Sequence, residues 1–367
     1  MTGKSRRPVA IVGARGYSGL ELARLLLRHP HAELAGCFAT DSSFKLSQLL
    51  IDAGAEEVPT WSMDDFDLSV KSVQTVFLAT PAEVSLELAP RALKAGAHVV
   101  DLSGAFRLKR GTLEERASTY KRWYGFDHSA PEQLLAAENG LVPWAGRLSA
   151  KKPTLVANPG CYATSVLMAI LPLLRANAIV KDTLVVDAKS GTTGAGRKAS
   201  EATSFTEVEG ECLPYKVARH QHWPEIVQQA AAHSGADIAP FFTTHLLNVR
   251  RGIISSIYAR LAPSFIAGTD AETDLKIEAL FQEAYSNYPL ARFGALGKPE
   301  TDALLSLKRV VGTARTHVTW KAEGDKLHLF SLIDNLVKGA ASQAVENFNR
   351  LNDEPATTGL VGVEGVL

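Results

Sequence analysis

Asn158-Pro159-Gly160-Cys161-Tyr162-Ala163-Thr164 sets a cysteine where a tight turn enters a long apolar helix, read over Tyr162–Arg175. An ordinary thiol has a pKa of about 8.5 and is mostly protonated at neutral pH. The positive end of a helix favours the thiolate, and each pKa unit is worth about 1.36 kcal/mol. Such a thiolate attacks acyl groups if an imidazole within hydrogen-bond reach handles the proton and a further group orients that imidazole. His220-Gln221-His222-Trp223-Pro224-Glu225 supplies two imidazoles and a carboxylate. A cysteine packed as a small hydrophobe is the competing reading, and it is the one adopted for Cys37 and Cys212. A His-x-His pair also suits a metal, but too few other ligating residues cluster nearby to complete a zinc site, so no metal is expected.

Two glycine-rich stretches could bind anions. Gly13-Ala14-Arg15-Gly16-Tyr17-Ser18-Gly19 follows a strand-like Val9-Ala10-Ile11-Val12 and opens a helix. Glycines there let the backbone approach a pyrophosphate, whose charge the helix N-terminus stabilises. The spacing G-x-x-G-x-x-G departs from the commoner dinucleotide fingerprint, so its place in a βαβ unit carries the reading. The next strand ends at Phe38-Ala39-Thr40, followed by Asp41, Ser42, Ser43 and Lys45. Arg15, Ser42, Ser43 and Lys45 could receive a 2′-phosphate, which favours NADP, while Asp41 argues for NAD. The second stretch, Lys189 to Lys198, has exposed amides and an Arg197 able to clamp a carboxylate or phosphate. It lacks the lysine of a P-loop.

The elements that must position these groups divide into two domains, as a length of 367 residues suggests. Residues 1–157 alternate buried strands (9–12, 33–38, 73–79, 98–102, 154–157) with helices (20–28, 84–95), the pattern of a parallel sheet. Residues 111–153 show no strong periodicity. Residues 158–333 carry strand-like runs at 184–188, 241–246, 252–260 and 318–321, a helix at 270–286, and so a mixed or antiparallel sheet. A helix at 336–351 precedes what reads as a loose tail, 352–367. The fold class is therefore α/β: a Rossmann-like dinucleotide-binding domain plus an α+β catalytic domain.

Lys+Arg and Asp+Glu are equal at 39 each, which leaves no electrostatic footprint for nucleic acid or an anionic membrane. No apolar run reaches the length of a membrane span. Three cysteines make no disulfide framework, and a reducing cytoplasm is expected.

Taken in order along almost the whole chain, these motifs resemble the N-acetyl-γ-glutamyl-phosphate reductases of arginine biosynthesis, within the aspartate-semialdehyde dehydrogenase superfamily. The resemblance rests on 13–19, 77–81, Asp101-Leu102-Ser103-Gly104-Ala105-Phe106-Arg107-Leu108, 124–125, 158–164, 190–197, 220–226 and 335–341. One departure is Gln221, where the family usually has arginine. The resemblance implies NADPH-dependent reduction through a thioester on Cys161, with His220 or His222 as acid/base, His220 favoured, held by Glu225. It also implies cofactor contacts at Gly13, Arg15, Gly16, Tyr17, Ser18, Gly19, Thr80, Pro81, Ser190, Gly191 and Asn335. Substrate contacts are expected at Arg107, Asn158 and Arg197. The first domain is expected to be completed by a helix at 334–351, residues 190–198 to close over the thioester, and the protein to be a dimer or tetramer. Aspartate-semialdehyde dehydrogenase and a lysine-pathway aminoadipyl-phosphate reductase are the near alternatives. A Cys-His hydrolase and an NADP-binding regulator are the distant ones.

Overall fold

The computed structural model describes residues 6–41, 43–148 and 152–361. They form two compact units. One runs to Gly160 and resumes at Ala340, and the other is Cys161–Gly339.

The first unit is built on a seven-stranded sheet. Its strands are β1 (Arg7–Val12), β2 (Ala32–Ala39), β3 (Thr60–Ser62), β4 (Thr75–Leu78), β5 (His98–Asp101), β6 (Glu138–Asn139) and β7 (Leu155–Ala157). The order is β3-β2-β1-β4-β5-β7-β6, and every pair is parallel. Strands buried on both faces need continuous apolar runs, which is what Val9–Val12 and Val76–Leu78 supply. The order reverses between β1 and β4, so the crevice beyond their carboxyl ends is where such sheets take a ligand.

Residues 111–153 hold more regular structure than their sequence suggested, with helices Leu113–Tyr124 and Pro131–Ala136. Leu113–Tyr124 buries only Tyr120, so it has almost no apolar stripe to read. Its signature was instead the capping box: Thr112 Oγ1 accepts from Glu115 N–H while Glu115 accepts from Thr112 N–H.

The tail expected beyond Asn352 is also ordered as far as described. Asn349 Nδ2 donates to the carbonyls of Ala356 and Thr358, each at 2.9 Å, and His29 Nε2 lies 3.0 Å from Asn349 Oδ1. Leu360 is buried, and Ser342–Leu351 packs against Tyr17–Leu27 and β5.

The second unit has its own seven-stranded sheet, made of β8 (Ile179–Gly191), β9 (Cys212–Tyr215), β10 (Phe241–Leu247), β11 (Ile253–Leu261), β12 (Ala291–Ala295), β13 (Thr316–Glu323) and β14 (Lys326–Ile333). The order β12-β13-β14-β11-β8-β10-β9 is mixed: β8–β10 and β12–β13 are parallel, the rest antiparallel. Helix Cys161–Arg175 lies across β8, β11 and β14 and is flanked by helices His222–Ser234 and Asp270–Tyr285. Enclosed in this way, it buries every residue from Tyr162 to Leu174. One polar seam is satisfied internally, Ser165 Oγ lying 2.9 Å from Ser255 Oγ and 3.2 Å from Ser331 Oγ.

Two boundaries differ from the expected ones. The first break falls after Gly160, not 157, because Asn158 is tied into the first unit by four hydrogen bonds described below. The helix expected at 336–351 is two elements: a five-residue π-turn, Val337–Ala341, then the α-helix Ser342–Leu351. The second break falls within the π-turn.

Candidate functional site

The dinucleotide turn of the first unit is set by close backbone packing. Gly13 has φ +88°, and a Cβ there would meet the Ala79 carbonyl at 2.3 Å. A Cβ on Gly19 would lie 2.3 Å from Gly13 O. The glycines thus have a geometric role whether or not a ligand is present. What points to a ligand is the helix beyond: Tyr17–Leu27 starts with no side-chain cap and no acid in its first turn. Its leading amides, with Tyr17, Ser18, Thr80 and Pro81 around the two strand ends, suit an anion. These residues fit a pyrophosphate.

At the end of β2, Asp41 is engaged from two sides. Ser43 donates to its Oδ1 from Oγ at 2.6 Å and from N–H at 3.0 Å, and Arg15 lies 3.5 Å from Oδ2. The Ser43 hydroxyl first, with its N–H and then Arg15, holds the Asp41 carboxyl below the usual range. Arg15 also sits 5.7 Å from the Phe44 ring. Lys45 is exposed beside them, and Ser42 lies outside the described residues.

Arg107 and Asn158, the expected substrate contacts, are hydrogen-bonded within the protein. Arg107 is buried and donates to the carbonyls of Asn158 and Leu102, each at 2.8 Å. Asn158, 1% exposed, receives that bond, donates its N–H to Asp101 O, donates Nδ2 to Ala340 O and accepts from Asn347 Nδ2. These bonds support the turn that leads into Cys161, and they occupy part of the hydrogen-bonding capacity of the two residues expected to contact substrate.

Cys161 is the first residue of its helix and is half-buried, whereas burial pushes the Cys37 thiol up to about 12. Gly339 presses against it: a Cβ on Gly339 would lie 2.6 Å from Cys161 Cβ. The π-turn that carries Gly339 is held by the buried Asp334. Its Oδ1 accepts from the N–H groups of Leu336 and Val337, while its Oδ2 accepts from Gly312 N–H and pairs with Arg251. π-turns recur at functional sites.

Around the thiol the sequence reading missed two tyrosines. Tyr215 Oη donates to Tyr162 Oη at 3.1 Å, and the Tyr162 phenol also meets Ser190. Burial, chiefly, raises both phenols, Tyr215 to about 12. Tyr215 stacks edge-on to His220 at 5.7 Å between centroids, and Tyr162 does so at 5.1 Å. Ser190, Gly191, Tyr215, Lys216, His220 and Gln221 line one cavity of about 580 Å³.

His220 and His222 are both buried, their rings 4.8 Å apart, and Glu225 follows His222 by three residues on the same helix face. Burial first, then Lys216, lowers the His220 pKa to about 3. His222 N–H donates to His220 Nδ1 at 3.2 Å, which assigns the ring proton to Nε2. The favoured acid/base imidazole is therefore, in this geometry, a neutral donor.

Asn335, expected to contact the nicotinamide, is hydrogen-bonded at both ends of its amide. Its Oδ1 accepts from Gly252 N–H at 2.8 Å and its Nδ2 donates to Thr193 Oγ1 at 3.0 Å, so the amide braces the turn Thr192–Ala195. Thr192 and Thr193 N–H bond the carbonyls of Val249 and Arg250, which anchors the first half of the expected closing segment. Arg197, beyond it, is exposed.

Two family models match this chain: the semialdehyde dehydrogenase NAD binding domain over residues 8–139, and the semialdehyde dehydrogenase dimerisation domain over 161–335. Solved structures agree on the fold. Aspartate semialdehyde dehydrogenase II of Vibrio cholerae superposes with a TM-score of 0.69 at 17% identity, over 95% of this chain and 99% of its own. An aspartate semialdehyde dehydrogenase with NADP from Candida albicans gives 0.62 at 14%, over 95% and 99%. Fold and site thus define a semialdehyde dehydrogenase built for a nicotinamide dinucleotide.

Curated relatives narrow this. The N-acetyl-gamma-glutamyl-phosphate reductase of Brevibacillus brevis is 38% identical over 358 residues, covering 96% of this chain and 97% of its own. Those of Escherichia coli and Geobacillus stearothermophilus are each 39% identical, covering 92% and 93% of this chain and 95% and 94% of theirs. The chain belongs to the N-acetyl-γ-glutamyl-phosphate reductase family.

Proposed function

We propose that this chain reduces N-acetyl-γ-glutamyl phosphate to N-acetylglutamate 5-semialdehyde and phosphate with NADPH, as a step of arginine biosynthesis. The observation that carries the reading is Cys161, a half-buried thiol at the first position of a buried 15-residue helix. Its backbone setting favours thiolate and aims leading amides at a developing oxyanion.

The thiolate attacks the acyl carbonyl. The C–O bond to phosphate breaks, phosphate leaves with the proton it needs, and a thioester remains on Cys161. The chemistry a nicotinamide dinucleotide would supply when bound is a hydride, which would go to the carbonyl carbon of this thioester. The resulting hemithioacetal oxyanion collapses, its C–S bond returns electrons to sulfur, and the aldehyde departs. His220, neutral with its proton on Nε2, holds an oxygen by hydrogen bonding, as a neutral imidazole electrophile does. His222, with Glu225 beside it, is then the imidazole that handles the proton.

NADP is favoured over NAD because the Asp41 carboxylate is already engaged by Ser43 and Arg15, so that Arg15 and the nearby Lys45 offset its charge where a 2′-phosphate would sit. The reading also includes homo-oligomers, in keeping with the dimerisation-domain match, and a cytoplasmic setting. Among the described residues no helix is long and apolar enough to cross a membrane.

The test is phosphate-dependent reduction of NADP and of NAD with N-acetylglutamate 5-semialdehyde or aspartate semialdehyde. Activity on the N-acetylated aldehyde with NADP is expected. Turnover confined to aspartate semialdehyde would overturn the substrate.

A further inference from the structure

The cavity beside His220 contains a cation that the mechanism above leaves unused. Lys216 and Ala218 both occupy the left-handed backbone region, with φ +46° and +56°. Held there, residues with a Cβ cost about 1–3 kcal/mol each, and such strain concentrates at functional sites. The strained turn leads directly into His220.

Lys216 keeps much of its surface in solvent, but its Nζ is drawn in to donate to Gln221 Oε1 at 2.8 Å. Among the described residues it has no carboxylate partner, unlike Lys189, which pairs with Asp187 on the same unit. An ammonium has three donors, and a neutral amide takes one without cancelling its charge. The neighbouring protein lowers the Lys216 pKa by desolvation, as befits a cation without a counterion. The Gln221 amide thus tethers the ammonium at the wall of the cavity that both residues line with His220.

We propose that Lys216, tethered by Gln221, is the oxyanion-binding residue of this cavity, taking a carboxylate or phosphate group of the acyl substrate beside His220. The identity of that substrate rests on the function proposed above; the presence of an anion subsite does not.

The experiment titrates N-acetylglutamate and inorganic phosphate calorimetrically into the wild-type protein and into Lys216→Met, Lys216→Arg and Gln221→Glu, with NADPH binding as the control for folding. Lys216→Met should weaken one probe at least tenfold and Lys216→Arg by less than threefold. Gln221→Glu, which gives Lys216 a carboxylate, should weaken the same probe tenfold, with no further loss in the double variant. Loss of N-acetylglutamate assigns the substrate carboxylate, and loss of phosphate assigns the phosphoryl group. Both probes binding Lys216→Met within twofold of wild type, or neither binding wild type, overturns the subsite. Wild-type protein that binds N-acetylglutamate through Lys216 but does not oxidise its semialdehyde overturns the reaction and leaves the subsite standing.

Discussion

The backbone N–H of His222 donates to Nδ1 of His220 at 3.2 Å, so each imidazole of the His-x-His pair has a different chemical character. One ring nitrogen of His220 is committed as an acceptor, and the other must carry the proton. With its pKa lowered to about 3, chiefly by burial, His220 does not titrate in the working range. The acid limb of kcat/KM should therefore be the same in the wild type and in His220→Gln, although the rate of the variant falls by about 10²-fold. A limb near pH 6.5 that vanishes in His220→Gln would show that the ring cycles its proton.

The same shift has a stability consequence. Unfolded, His220 takes a proton below pH 6.5; folded, it refuses one until about pH 3. Above pH 6.5 the residue is neutral in both states and contributes nothing to the pH dependence; between those values the unfolded state gains. At pH 5 this costs the wild type about 2 kcal/mol relative to pH 8. Urea midpoints at the two pH values should draw closer in His220→Gln by a corresponding amount. An unchanged gap would contradict the shift.

Cys161→Ser should bind NADPH with wild-type affinity and turn over at less than about 10⁻³ of the wild-type rate. Dinucleotide fluorescence and a steady-state assay on one preparation separate the two properties. Retained turnover discards the thioester.

Gly13→Ala places a methyl group 2.3 Å from the Ala79 carbonyl at φ +88°. Strain of about 1–3 kcal/mol or more is expected, together with at least tenfold weaker NADPH binding. Alkylation of Cys161 by iodoacetamide, followed by mass spectrometry, should remain near wild type, since that thiol belongs to the other unit.

Arg15→Ala should weaken NADPH about tenfold and NADH less than twofold, since only NADPH offers a 2′-phosphate. Asp41→Ala, which releases Arg15 from its ion pair, should move the preference further toward NADPH. Equal losses for both dinucleotides in Arg15→Ala would place the arginine on the shared pyrophosphate.

Much of the fold could be read in advance because its strongest signals are local. Val9–Val12 followed by Gly13 announces a strand and turn, and the apolar run from Val166 to Leu174 announces a buried helix. What escaped notice has equally physical causes. Leu113–Tyr124 shows no apolar stripe because it buries almost nothing. Helix His222–Ser234 went unassigned because its first turn stands out for reactive side chains and not for an apolar stripe. At the site, the sequence singles out Cys161, His220 and His222 because reactive side chains are few, and the structure places both imidazoles against Tyr162, the residue after Cys161. The internal hydrogen bonds of Arg107, Asn158 and Asn335 were not legible, since a side chain that grips backbone carbonyls and amides looks in sequence like one that grips a ligand. Lys216 gave no warning either, because left-handed backbone at a non-glycine residue leaves no compositional trace.

The clasp of Asn349 and His29 around residues 356–358 ties the first unit's opening helix region to a segment made late in synthesis. The parallel sheet is finished only when its last helix and that clasp have emerged, whereas the mixed sheet needs nothing beyond Gly339. The half synthesised later can thus complete itself first, and the N-terminal half must wait, partly uncovered, for the final stretch of translation. A premature stop anywhere between 340 and 358 would spare the thiol's half of the protein and strand the half that carries the nucleotide turn.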